Sequence, residues 1–264
     1  MNKKAFTLIE LLVVIAIIGI LSSVIYTNIT GLRDRAKVTA GIRFDSSILH
    51  SIGDRLLGEW VFDSQSQLID TSGAGNTLTN GGGATFATTS GYNGKGAFSF
   101  NGTSNYLWIA APSGQNLSIT TDKVTVSAWI NPNSTQAGTI VCKNQPYILA
   151  LGDQHFYAGV GTGSWLFVSG NSVIPLNTWS FVTMVYDGAK ISLYLNGNFD
   201  GSIAKTGNLL YWASDFYIGY GTPGVDQYFS GLIDDVRIYE SALTSSEIQK
   251  LYAERKAGYE VATK

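Results

Sequence analysis

The chain is short of several residue types. Its 264 residues include one cysteine, Cys142, two histidines and five prolines, and only 14% are Asp, Glu, Lys or Arg. A single thiol closes no intrachain disulfide, so no disulfide framework holds the fold. Two histidines cannot build a His-rich metal cluster. A surplus of one charge sign is also missing. The formal net charge is −2, which leaves no general basic field for nucleic acid. With 45% hydrophobic residues the chain can bury a core, which excludes an intrinsically disordered segment, and its composition is not that of collagen or a coiled-coil rod. What is plentiful is glycine (30 residues) and aromatics (12%), the pattern of many tight turns between β-strands.

The charges divide the chain. Residues 58–252 hold thirteen acids against seven bases, whereas residues 6–57 hold four acids against five bases. The sequence opens with Lys3 and Lys4, followed by an apolar run from Leu11 to Leu21 that, with its neighbours, is long enough to span a bilayer. A cleaved secretory signal would also have a charged start and a short apolar core. Two features weigh against it. No small-x-small cleavage site follows Leu21, and Glu10 lies in the apolar run, where a charge costs roughly 2.5–3.5 kcal/mol at membrane depth and so calls for a partner.

Lys3-Lys4-Ala5-Phe6-Thr7-Leu8-Ile9-Glu10-Leu11 resembles the prepilin motif of type IV pilins and type II secretion pseudopilins. That resemblance implies cleavage by a prepilin peptidase between Ala5 and Phe6, on the cytoplasmic side, and N-methylation of Phe6. Ala5 departs from the glycine usual before the cut. The resemblance also implies that Glu10 acts in assembly. A lipid-embedded carboxylate needs a counter-charge, and the freed ammonium of Phe6 on a neighbouring subunit supplies one at a single axial offset. The implied partners are prepilin peptidase and other pilin subunits. The implied location is a single pass of the inner membrane before assembly, then an extracellular pilus or periplasmic pseudopilus.

Beyond the membrane run, Ile25, Ile29, Leu32, Ala36, Ala40, Phe44, Ile48, Ile52 and Leu56 recur every three or four residues, an apolar helical stripe. One helix from Phe6 to Leu57 would be roughly 78 Å long. Gly41 and Gly53 weaken an unbroken rod.

After Gly58 the period changes to alternation. Runs such as Val124–Ile130, Tyr147–Leu151, Trp179–Tyr186, Phe216–Tyr220 and Ile233–Tyr239 are rich in β-branched and aromatic residues, and Asn101-Gly102, Asp187-Gly188 and Asn196-Gly197 separate such runs. Many strands without intervening helices predict an antiparallel β-sandwich. Thr244-Ser245-Ser246-Glu247 predicts a capping box opening a short C-terminal helix. The expected fold is therefore mainly β: a long N-terminal α-helix attached to an antiparallel β-sandwich jelly roll. The expected divisions are a leader (1–5), the helix (6–57), the sandwich (58–252) and a frayed tail (253–264).

Four stretches of the body resemble the laminin G-like (LamG, concanavalin A-like) jelly roll. They are Glu59-Trp60-Val61-Phe62-Asp63, the loop Asp70 to Asn76, the hairpin from Trp179 to Gly197, and the closing run Phe229-Ser230-Gly231-Leu232-Ile233-Asp234-Asp235-Val236-Arg237-Ile238-Tyr239. The resemblance implies a structural calcium ion (Ca2+) held by a loop acid and a closing-strand acid, which makes Asp70, Asn76, Asp234 and Asp235 the metal candidates. The alternative is an Asx turn at Asp70 and an Asp235–Arg237 pair.

Catalysis is not expected. Glycoside hydrolysis needs two carboxylates facing one cleft. The Glu-x-Asp-x-x-Glu spacing of retaining glucanases of this fold is absent, and Asp234 and Asp235, being adjacent, face opposite sides of a strand. Pyranoses stack on exposed aromatic faces. Trp165, beside Gly163, and Tyr211-Trp212 lie near loops and are the ligand-binding candidates; the alternative places all six tryptophans in the core. The combined reading is a pilin-like filament subunit whose head binds a carbohydrate or a surface protein in adhesion. The alternatives are a pseudopilin with a passive head and a membrane-tethered glycan-processing enzyme.

Overall fold

The computed structural model describes residues 12–13, 52–53, 55–63, 68–111, 117, 119, 121–211, 213–221 and 227–262, with side chains up to residue 254. The processing and assembly candidates Ala5, Phe6 and Glu10, most of the expected long helix, and Trp212 lie outside the described residues. The chain divides into two compact units, 1–51 and 52–264, and the second is the β body. Among the described residues no helix is long and apolar enough to cross a membrane.

The body is two antiparallel sheets face to face. One runs β13 (Asn198–Ala204), β12 (Lys190–Leu195), β11 (Ser180–Tyr186), β6 (Val124–Pro132), β15 (Ser230–Tyr239), β4 (Ala97–Asn101) and β3 (Thr85–Ala87). β1 (Leu56–Trp60) joins the same sheet on β15. The other runs β10 (Trp165–Ser169), β9 (His155–Gly161), β8 (Tyr147–Gly152), β7 (Gly138–Lys143), β14 (Phe216–Ile218), β5 (Leu107–Ile109) and β2 (Thr79–Asn80).

Alternation decides which side chains meet between the sheets. Val182, Met184 and Tyr186 of β11 enter the common core with Tyr147, Leu149 and Leu151 of β8, and with Trp60, Phe216 and Ile233. Their alternates point away from it. The β12–β13 hairpin turns on Asn196 (φ +50) and Gly197 (φ +80), the two positive values that a type I′ turn demands.

β15 is long enough to be shared along one edge. Its first residues pair with β4 (Ser230↔Asn101 to Ile233↔Phe98) and its last with β1 (Val236↔Trp60 to Tyr239↔Leu56). A bulge between Asp234 and Arg237, with Asp235 at φ +46, marks the change of partner. Leu56 and Leu57 are therefore the start of the first strand rather than the end of a helix, because Leu56 pairs with Tyr239 and Gly58 with Ile238, with Leu57 in a bulge between them.

Helix α1 (Ser245–Ala262) follows β15 and runs past the expected frayed boundary at residue 253. Its capping box is reciprocal: Thr244 N–H donates to Glu247 Oε2 at 2.7 Å, and Glu247 N–H donates to Thr244 Oγ1 at 3.3 Å. α1 packs against part of the outer face of its own sheet, over Trp129 and Phe181. Trp129, 1% exposed, stacks on both Tyr252 of the helix and Tyr92, with interplanar angles of 24° and 15°.

Candidate functional site

The second sheet leaves a different outer face. In β5 and β14 the core takes Leu107, Ile109, Phe216 and Ile218, so Trp108 and Tyr217 must point outward. Strand pairing carries that face across the whole sheet. Thr79 is opposite Trp108, Trp108 opposite Tyr217, and Tyr217 opposite Cys142. Cys142 is opposite Ile148, Ile148 opposite Gly159, and Gly159 opposite Phe167. Paired residues of antiparallel strands share a face, so these seven form one lateral row on the outside of the sandwich, with no ionisable carboxylate or amine in it.

Aromatic rings concentrate toward the ends of the row. At one end Trp108 and Tyr217 stack at 6.4 Å and 14°, with Tyr106 and Tyr220 edge-on or tilted against them. At the other, Trp165 and Phe167 stack at 5.4 Å and 10°. Phe167 is 40% exposed and its ring lies over Gly159, where any Cβ would come within 2.5 Å of it. Between them Cys142, Ile148 and Ala150 form an aliphatic floor against which Tyr157 and Trp165 lean. A cavity of about 180 Å3 is lined by Cys142, Asn144, Tyr217, Tyr220 and Gly221.

Polar groups around this floor are held in fixed states. Tyr217 donates its hydroxyl to Asp215 Oδ2 at 2.9 Å, and burial together with that carboxylate keeps the phenol protonated well above the ordinary tyrosine range. Burial pushes the Cys142 thiol up to about 12, so it is an inert wall rather than a nucleophile. Lys143 follows in the chain and donates to the Ser214 carbonyl. Burial lowers its ammonium to about 8, against the opposing pull of Asp215.

Of the residues singled out in the sequence, Trp165 lies on this face. Tyr211, 49% exposed, sits beside it, because Leu210 N–H donates to the Gly161 carbonyl at 3.0 Å and Gly161 is the cross-strand partner of Trp165. Trp129 is buried under α1, whereas Trp179 is only half-buried. Trp108, Tyr217, Phe167 and Tyr157 were not singled out. The signal for Trp108 and Tyr217 is the aromatic flanked by buried residues of the alternation, in Leu107-Trp108-Ile109 and Phe216-Tyr217-Ile218.

The four metal candidates enter two hydrogen-bond sets, Asp70 with Asn76 and Asp234 with Asp235. Asp70 Oδ1 accepts from the N–H groups of Glu59 and Ser72, and its Oδ2 accepts from Asn76 N–H and Asn76 Nδ2. Asp234 accepts from Tyr92 N–H and Asp235 N–H, while Asp235 pairs with Arg237. Asn76 Oδ1 is buried and without a partner. Among the described residues no three His, Cys, Asp or Glu side chains gather as a metal site. Calcium takes six to eight oxygens, and one amide oxygen beside a carboxylate saturated by N–H donors does not fit it.

A sequence profile of the concanavalin A-like lectin/glucanases superfamily matches residues 101–249, more than half of the chain. The chain belongs to this superfamily. A second profile, the prokaryotic N-terminal methylation motif, matches residues 1–26. This superfamily member is 27% identical over 219 residues to an alpha-L-arabinofuranosidase of Bifidobacterium longum subsp. longum, covering 81% of this chain but 18% of that protein. Domain 4 of AbnA, a GH43 extracellular arabinanase from Geobacillus stearothermophilus whose structure is in complex with arabinotriose, shares the fold with a TM-score of 0.58 and 24% identity. It covers 75% of this chain and 98% of the domain. The botulinum neurotoxin serotype D ligand binding domain in complex with N-acetylneuraminic acid shares it with a TM-score of 0.62 and 19% identity, over 78% and 52%.

Proposed function

We propose that this protein is a prepilin-processed, filament-forming subunit that displays a non-catalytic carbohydrate-binding head. One observation carries the binding half of this reading. α1 packs over Trp129 and Phe181 on the outer face of one sheet, whereas the other carries the Thr79-to-Phe167 row, with stacked aromatics toward its ends and a cavity lined by Cys142 and Tyr217. Sugar C–H faces stack on such rings, and nearby hydroxyls and amides fix their orientation. The sugar-bound arabinanase domain and toxin domain point to the same ligand class.

The head is a binder rather than a hydrolase in this reading, because hydrolysis takes two carboxylates across one cleft. Asp215, the acid at this face, is held by Tyr217 O–H and by Ala111 N–H. The methylation motif supplies the display half: removal of residues 1–5, insertion of the apolar run in the inner membrane, and polymerisation through Glu10. Polysaccharide-affinity electrophoresis of the full-length protein in detergent, with debranched arabinan in the gel, tests the binding. The wild type is retarded and Trp108→Ala is not; equal mobility with and without arabinan and other neutral glycans would refute it.

A further inference from the structure

The row has two aromatic stations, not one. From Tyr217 on β14 to Phe167 on β10 there are four strand-to-strand steps, through β7, β8 and β9, or about 19 Å at the usual strand spacing. That is far wider than one sugar ring. The rings at each station lie nearly parallel to one another, and the cavity lined by Cys142, Tyr217 and Tyr220 adjoins the first station. The row also has no side chain that could neutralise an anion. Of the lysines bordering it, Lys143 is buried and engaged by the Ser214 carbonyl, Lys205 beside the second station is engaged by the Ser164 carbonyl and hydroxyl, and Asp215 beside the first would repel one.

From this geometry we infer that the ligand is an internal stretch of a neutral polysaccharide, laid across the strands and held at both stations at once, rather than a terminal or acidic sugar. The inference rests on the carbohydrate-binding reading above and specifies its substrate class. Two weak stacking sites on one rigid sheet act as a bivalent receptor. A chain long enough to reach both gains affinity by effective concentration, and a shorter one does not. With no cation in the row, that affinity is insensitive to salt. Gly159 keeps the second station in place, since a Cβ there would displace the Phe167 ring.

Titration calorimetry of the full-length protein in detergent, with linear arabino-oligosaccharides from the trisaccharide upward and with sialyllactose, tests this. Kd is expected to fall about tenfold or more with length and then level off. Phe167→Ser is expected to erase the gain with length while leaving the trisaccharide bound at Trp108–Tyr217. Gly159→Ala, with the melting temperature recorded as a check on folding, is expected to do the same by moving the ring. Binding of the trisaccharide with no gain for longer chains would overturn the inference and leave the carbohydrate-binding function standing. Preference for sialyllactose, weakened by added NaCl, would overturn the neutral-chain assignment. Failure of every glycan to bind would remove the functional reading itself.

Discussion

Arg237 Nε lies 3.0 Å from Glu59 Oε1, a contact that joins the last strand of the sandwich to the first. The two residues are direct cross-strand partners in the β1–β15 ladder. Asp235 Oδ1 at 3.1 Å and Glu254 at 4.0 Å complete the set. Burial opposes the guanidinium charge, but these carboxylates outweigh it and hold the group above its ordinary range. Removing the cation leaves buried acids without a counter-charge, so Arg237→Met is expected to cost about 3–5 kcal/mol, measured by urea denaturation at pH 7. Glu59→Gln, which keeps a hydrogen-bond acceptor, is expected to cost less.

Lys143 gives a stability term with a definite pH window. Its folded ammonium titrates at about 8 against the ordinary 10.5. Between those values the unfolded chain binds a proton that the folded chain does not, so this contribution rises with pH across the window. Lys143→Met lacks it. The stability of the wild type minus that of the variant is expected to increase from pH 7.5 to 10.5 by at most about 3 kcal/mol, less where water reaches the ammonium. A difference that stays flat over that range would show an unperturbed lysine.

The capping box can be tested at either end. Thr244→Ala and Glu247→Ala are each expected to lower stability by about 1 kcal/mol. Burial would raise the Glu247 carboxyl, but hydrogen bonds from Thr244 and from Arg55 bring it below its ordinary 4.5. A depressed carboxyl stabilises above its unfolded pKa and loses that effect as pH falls through its folded value. The Glu247→Ala deficit is therefore expected at pH 6 and to shrink toward pH 3.

Calcium is expected to leave the melting temperature unchanged. Both Asp70 oxygens already accept two N–H groups each. An ion that bound the folded state would raise the transition in proportion to its occupancy, so a shift between millimolar CaCl2 and EGTA would show a ligand set other than the one formed here.

Mass spectrometry of the protein from a prepilin-processing host is expected to find a mature chain beginning at methylated Phe6. Ala5→Gly is expected to speed conversion and Glu10→Gln to block filament growth. A mature start beyond residue 21 would indicate an ordinary secretory signal instead.

Much of the sandwich was legible because its strands announce themselves locally. Val124–Ile130 and Trp179–Tyr186 are dense in strand formers, and Asn196-Gly197 carries its own turn. β13 was not read, because Asn198-Phe199-Asp200-Gly201-Ser202 is a polar edge strand whose partner, β12, supplies the order. Leu56 and Leu57 fitted the helical stripe, and only pairing with a segment some 180 residues later makes them strand. The candidate face shows the same division. That Trp108 and Tyr217 point away from the core follows from alternation, but that α1 packs on one sheet and leaves the other to its aromatics is a property of the assembled layers.

β1 is the first strand of the head and is clasped along β15, with Glu59 and Arg237 bridging the two. On the proposed reading of a filament subunit with a ligand-binding head, tension through the N-terminus would load that clasp before the rest of the sandwich. The tether point and the seam that resists tearing are the same few residues.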